Sequence, residues 1–148
     1  MEADAETIQK IGGEAVSAYA IFGTEGETFA SLAAKARRQW DSWSDSGMQV
    51  VPIVTAGWDP RPRIHTPVPW YQGYAEDGWA QTPTPQELAE HIRDAIEWVR
   101  KKSCEPNAIL IYAWNENDEG GWLLPTLGTG GVPNTERLDA LRKVLRIC

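Results

Sequence analysis

The chain has 148 residues, of which 14 are Lys or Arg and 21 are Asp or Glu, so its formal net charge is −7. This length suits one domain over residues 1–148, and a hydrophobic content of 42% is enough to fill one core, which excludes a disordered chain. An acidic chain without Lys/Arg clusters repels phosphate groups, and no run approaches the roughly 18 apolar residues of a membrane span. We therefore expect neither a nucleic acid nor a membrane as partner.

The first unit of the chain is predicted as a strand followed by a helix. Residues 15–22 are nearly continuous in apolar residues, which is typical of a strand covered on both faces. A helix is predicted over residues 28–44, because apolar residues recur there at every third or fourth position. Thr24 or Thr28 is expected to cap it, and Gly47 to end the segment. Residues 1–12 are interpreted as the tail of a preceding helix. Their acidic start does not resemble a signal peptide, but a longer parent protein could be secreted or periplasmic, so the location stays open.

The second unit repeats this order. Residues 49–56 are predicted as a strand, and Pro52 is expected to interrupt its hydrogen bonding by a bulge or by an early strand start. The next helix is expected to begin with Thr84 as N-cap and Pro85 in the first helical position. Glu87 would then close a capping box.

The third unit completes the predicted architecture. A strand over residues 108–114 is followed by a loop rich in Gly and Pro and by a last helix beginning at Asn134 or Thr135. Three strand–helix units predict an α/β fold with parallel strands joined by right-handed crossovers. A (β/α)₈ TIM barrel needs about 250 residues, so the chain is predicted to resemble the C-terminal three-eighths of one. It would belong to a longer protein or assemble with copies of itself. A compact three-stranded α/β domain is the alternative.

Residues 59–83 form a long loop after the second predicted strand, where parallel α/β folds place their functional sites. Loops of this length are usually lids or binding loops. Most of the eight tryptophans lie outside the helical stripes, which favours a surface lined by aromatic rings, on which sugar rings stack. The alternative is that the rings only pack the loop. The aromatic and charged residues of the loop are Asp59, Arg61, Arg63, His65, Trp70, Tyr71, Tyr74, Asp77 and Trp79.

The loop after the third strand carries three carboxylates in four residues. Crowded carboxyl groups raise one another's pKa, which is how a site obtains a protonated acid beside an ionised base. Glycoside cleavage needs such a pair. A solvated acidic turn is one alternative, and a cation site formed by Glu116, Asp118 and Glu119 is another. The loop reads Trp114-Asn115-Glu116-Asn117-Asp118-Glu119-Gly120-Gly121-Trp122.

These two loops resemble those of a known group of proteins. The pattern Trp114-Asn115-Glu116-x-x-Glu119-Gly120, with Pro125 following, is similar to the W-N-E-x-x-E-G…P signature of WbsX-like proteins and of the endo-α-mannosidase relatives in glycoside hydrolase family 99. The segment from Trp58 to Arg63 is similar to the W-D-x-x-P-R segment of the WbsX-like proteins. The similarity covers residues 50–126. It implies a TIM barrel that cleaves glycosidic bonds with retention.

The resemblance also implies roles for individual residues. Glu116 would act as the base on the 2-hydroxyl of the sugar, and Glu119 as the general acid and then base. Asn117 and Asp118 replace the aromatic residue that usually follows the first Glu, so mannose does not follow from the resemblance, and five strands of the barrel lie outside this chain. The predicted substrate-binding residues are Trp58, Asp59, Arg63, Trp70, Trp114, Asn115 and Trp122.

The function predicted from the sequence is therefore a glycoside hydrolase-like protein, or a C-terminal fragment of one, with a carbohydrate substrate. A carbohydrate-binding or degenerate fragment is the alternative. A role in polysaccharide biosynthesis is less favoured, because no Gly-rich or basic motif for a diphosphate is present. No cofactor or metal is expected: Cys104 and Cys148 lack metal-ligand spacing, and neither His65 nor His91 is assigned a role. His91 is expected on an exposed helix face.

Overall fold

The computed structural model describes residues 5–147, which form a mixed α/β fold; the first four residues of the predicted leading helix and Cys148 lie outside this range. The five helices of the described residues are α1 Ala5–Lys10, α2 Phe29–Asp45, α3 Arg61–His65, α4 Pro85–Lys102 and α5 Glu136–Ile147. The strands are β1 Ala15–Val16, β2 Gln49–Val50, β3 Ile53–Thr55, β4 Leu110–Tyr112, β5 Asn115–Glu116, β6 Gly121–Trp122, β7 Thr126–Leu127 and β8 Pro133–Asn134. Within the described residues, no helix combines the length and apolar character of a membrane span.

The central strands are parallel, as predicted. β1 pairs with β2, and β3 pairs with β4, with Val54 opposite Ile111. The Val51 N–H donates to the Val16 carbonyl and the Leu110 N–H to the Pro52 carbonyl, both at 2.9 Å. The segment that contains β2 and β3 therefore lies between β1 and β4.

The strands are shorter than the sequence predicted. Of residues 15–22 only the first two form a strand, and the second predicted strand is divided into β2 and β3. The division falls at Pro52, where the interruption was expected, because proline has no N–H to donate to a neighbouring strand.

The helix boundaries follow local signals in the sequence. The Thr28 side chain accepts a hydrogen bond from the Ser31 N–H at 3.2 Å and caps α2. Gly47 follows that helix with φ +84°. The capping box of α4 is formed by Thr84 and Glu87 in both directions. The predictions of these ends are confirmed.

Replacing Thr84 with Ala is expected to lower the free energy of unfolding by about 1 kcal/mol, because the N–H of Glu87 loses its cap. Urea denaturation of the two proteins measures the difference. Thr82→Ala, just outside the helix, is the control. Equal effects of both substitutions would contradict a capping role.

Two buried clusters contain half of the tryptophans. Trp40, Trp43 and Trp98 pack in a cluster that includes Val54 and side chains of α2, α4 and α5, while Trp58 is buried in a second cluster. The Trp40 indole N–H donates to the Ile53 carbonyl at 3.0 Å. The tryptophans therefore divide between packing and surface: the rings of α2 and α4 fill the space between helices and sheet, whereas Trp70 and Trp114 are exposed.

His91 is buried, contrary to the expectation of an exposed helix face. Its ring stacks on Trp40 with the centroids 5.5 Å apart, and its Nε2 accepts a hydrogen bond from the Thr55 N–H at 3.3 Å. The reason is that α4 packs against both α2 and α5, so its buried arc is wider than a single stripe.

Burial lowers the pKa of His91 from 6.5 to about 4. Because the unfolded chain binds this proton more readily than the folded one, the protein is expected to lose stability as the pH falls from about 6.5 to about 4. Gln in place of His91 keeps an acceptor for Thr55 but does not titrate, so this part of the acid loss should disappear. Urea midpoints of both proteins at pH 7 and pH 4.5 measure it. A parallel acid loss in the two proteins would contradict the assignment.

Candidate active site

A cleft of about 320 Å³ lies beside the carboxyl ends of the strands. Its walls come from the segment after β1, from the segment after β3, from residues 71–78 and from the acidic loop after β4. The residues that line it are Tyr19, Phe22, Gly23, Trp58, Pro60, Tyr71, Gly73, Tyr74, Ala75, Gly78 and Glu119.

Aromatic rings form most of these walls. Phe22 meets Trp58 edge to face with the ring centroids 4.7 Å apart, and Tyr71 meets Tyr74 in the same way at 4.7 Å. Tyr19 is 67% exposed and Phe22 55% exposed. A ligand in the cleft would therefore contact ring surfaces that now face solvent.

Glu119 is the acidic residue in the lining of the cleft. It ends a short 3₁₀ turn, Asn117–Glu119, in the hairpin whose strands are β5 and β6. Its side chain is only 4% exposed. One carboxylate oxygen accepts hydrogen bonds from Arg63 and from the Tyr74 hydroxyl, and the other accepts one from the Tyr112 hydroxyl. These donors offset the cost of burying a carboxylate.

Arg63 joins the three acidic residues of the loop. It lies in α3, 12% exposed, and donates to Glu116 at 2.8 Å and to the two oxygens of Asp118 at 2.8 and 3.2 Å, besides its contact with Glu119. It also donates to the Tyr74 hydroxyl at 2.8 Å. The hydrogen bonds from Arg63 hold the pKa of Asp118 below its usual range. The sequence analysis expected the crowding to raise at least one pKa in this loop; for Asp118 the shift is in the opposite direction, because a cation lies among the carboxylates.

A backbone contact fixes the acidic loop to the segment after β3. The Asp59 N–H donates to the Glu119 carbonyl at 2.7 Å. The Asp59 carboxylate instead pairs with Arg61, whose guanidinium carbon lies 3.6 Å from the centre of the Trp79 ring. Asp59 thus supports the cleft through its backbone, and its side chain is engaged elsewhere.

Of the other predicted site residues, only Trp58 lines the cleft. Its indole N–H donates to the Gly78 carbonyl at 2.8 Å. Glu116, with a side chain 30% exposed, shares Arg63 with Glu119 but does not line the cleft. The structure does not bring the remaining predicted residues to the cleft: they are Trp70, Trp114 and Asn115, which are exposed, and Trp122, which packs under Arg137 with 3.7 Å between ring centre and guanidinium carbon.

The sequence analysis missed Tyr19 and Tyr112 as site residues, since both fall inside predicted strands. Their rings meet edge to face with the centroids 4.9 Å apart. The available signal was that each is a tyrosine within a mostly apolar predicted strand, where its hydroxyl needs a polar partner. Tyr74 was noted in the loop but not assigned.

Within residues 5–147 no group of three or more His, Cys, Asp or Glu side chains is arranged to hold a metal ion. The carboxylates that the sequence offered as a cation site surround the Arg63 guanidinium instead. Comparison with known proteins adds no relative: no family model, no curated protein and no solved structure matches the chain.

Proposed function

We propose that this chain is a glycoside hydrolase-like protein, or the C-terminal part of one, which holds a saccharide in the aromatic cleft against Glu119. The observation that carries the proposal is a buried carboxylate in a cleft walled by aromatic rings. Such rings stack on the apolar faces of sugars, and a few fixed polar groups orient a ligand in a mostly apolar pocket.

The chemistry proposed for the site uses two carboxyl groups. Glu119 faces the cleft as the acid/base, and Glu116 is the second carboxylate, which a saccharide extending from the cleft past Arg63 would meet. Arg63 donates to both residues and so fixes them relative to each other. A pair of carboxyl groups flanking one bond is what glycoside hydrolysis requires.

We also propose that the three parallel units belong to a TIM barrel. Two features support this: the strands are parallel and adjacent in chain order, and the cleft lies at their carboxyl ends. Leu110, in β4 at the side of the described sheet, is half exposed. The remainder of a barrel or a second copy of the chain would cover it and complete the walls of the site.

The test is the hydrolysis of a panel of activated aryl glycosides by the full-length protein and its variants. Glu119→Gln is expected to lower kcat about a hundredfold or more, as expected for loss of a general acid/base. Glu116→Gln should also lower kcat, and that variant leaves the buried Glu119 unchanged. Glu105→Gln removes one negative charge before β4, far from the cleft, and should retain the parent rate. Unchanged turnover in Glu119→Gln would overturn the catalytic proposal.

Carbohydrate binding without cleavage is the second candidate. It is favoured by the observation that both oxygens of Glu119 already accept hydrogen bonds from protein donors, while Glu116 lies outside the cleft lining. Binding of oligosaccharides with no released product, retained in Glu119→Gln, would support it over hydrolysis.

A further inference from the structure

The charge beside the cleft is strongly unbalanced. One guanidinium, Arg63, is in contact with the three carboxylates of Glu116, Asp118 and Glu119, which leaves the cluster with an excess of two negative charges. Arg61, two residues before Arg63, pairs with Asp59 and so offers no compensation. Burial, with the charges of Glu116 and Glu119, raises the pKa of Tyr19 across the cleft, so their field extends to the aromatic wall.

The walls of the cleft add a second feature that attracts cations. The faces of aromatic rings carry partial negative charge and bind ammonium groups, most strongly when several rings surround one cation. Five rings line this cleft, and the hydroxyl of Tyr19 makes no hydrogen bond to the described residues, so it can accept one from a ligand. The rings are those of Tyr19, Phe22, Trp58, Tyr71 and Tyr74.

We infer that the saccharide bound in this cleft carries a protonated amino group, with the ammonium held between the aromatic rings and the Glu119 carboxylate. The inference rests on the proposed function and narrows its substrate class to amino sugars with a free amine. N-acetylation removes the charge and should weaken binding. Sugars with carboxylate, sulfate or phosphate groups should be repelled by the acidic cluster.

Ligand titrations of the full chain at low ionic strength test this, followed by tryptophan fluorescence because Trp58 lines the cleft. The probes are glucosamine, glucose, N-acetylglucosamine and tetramethylammonium. Glucosamine is expected to bind about tenfold more tightly than glucose or N-acetylglucosamine. The preference should fall with added salt and disappear at a pH where the sugar amine is neutral.

Two variants locate the preference. Phe22→Leu keeps apolar bulk but removes one exposed ring, and should reduce the preference for glucosamine severalfold. Glu119→Gln should reduce it further, while Glu105→Gln, with the same change of charge at a distant position, should not change it. If Glu119→Gln does not fold, the loss of glucosamine preference in Phe22→Leu tests the inference on its own.

The outcomes separate this inference from the function it rests on. Equal affinities for glucose and glucosamine would overturn the amine selectivity and leave saccharide binding intact. Binding of tetramethylammonium as tight as that of glucosamine, with none of glucose, would show that the sugar ring contributes nothing and would overturn the saccharide assignment. Absence of binding by every probe would contradict both.

Discussion

Replacing Arg63 with Met is expected to lower the free energy of unfolding at pH 7 by about 3–5 kcal/mol, the usual cost of removing one partner from a buried ion pair. Met fills a similar volume, so the loss reports on charge and hydrogen bonds. Without the guanidinium, the buried Glu119 keeps only its two tyrosine donors, and Glu116 and Asp118 lie beside it without a counter-charge. Urea denaturation measures the change.

The stability difference between Arg63→Met and the parent protein is expected to depend on pH. The pKa of Asp118 is lowered in the folded protein chiefly by hydrogen bonds from Arg63, so its contribution is present at neutral pH and is lost as the pH falls through the folded pKa. Arg63→Met should therefore destabilise the protein most at pH 7 and progressively less in acid. Arg61→Met, which removes a more exposed arginine, is the matched control and should change the urea midpoint little. An equal loss of unfolding free energy at pH 7 and pH 3 in Arg63→Met would contradict the assignment that Arg63 stabilises the protein through its ion pairs.

The helices could be predicted because their signals are local. Thr84, Pro85 and Glu87 specify the start of α4 within four residues, and the structure begins the helix there. Strand lengths could not be predicted in the same way, because a residue is assigned to a strand only where a neighbour pairs with it. Residues 17–22 are mostly apolar, yet they form no strand in the structure.

The site shows the same division between local and long-range information. Glu116 and Glu119 are three positions apart, and a pattern that short can be recognised in a sequence. The interaction that organises them comes from Arg63, more than 50 residues earlier, and the sequence suggested that this residue orients a sugar. Its position inside the acidic cluster depends on how α3 packs against the 3₁₀ turn of the acidic loop, which no local pattern encodes.

A long loop in the sequence also need not lack structure. Residues 59–83 were expected to form a loop without regular structure, but α3 occupies residues 61–65 within it. This helix is only five residues long, and Pro62 lies in its first turn, so its apolar periodicity is too short to detect. Its functional consequence is large, since it places Arg63 against the acidic loop.

Gly120 is predicted to be a position of the acidic loop that is strongly destabilised by any side chain. Its φ of +74° is in the left-handed region, and an added Cβ would lie 2.5 Å from the Asp59 backbone nitrogen and 2.9 Å from the Asp59 Cβ. Gly120→Ala therefore combines backbone strain of about 1–2 kcal/mol with an overpacking cost of about 1–3 kcal/mol. We expect the free energy of unfolding to fall by about 3–4 kcal/mol in urea denaturation.

Gly130 separates the two contributions. Its φ is +70°, close to that of Gly120, but a Cβ at this position would have no atom within 4 Å. Gly130→Ala should therefore show the backbone strain alone, about 1–2 kcal/mol. The difference between the two variants measures how tightly the acidic loop is packed on the segment after β3, where the Asp59 N–H meets the Glu119 carbonyl. If both substitutions cost the same, that packing is loose, and Glu119 is not held in place by its own backbone.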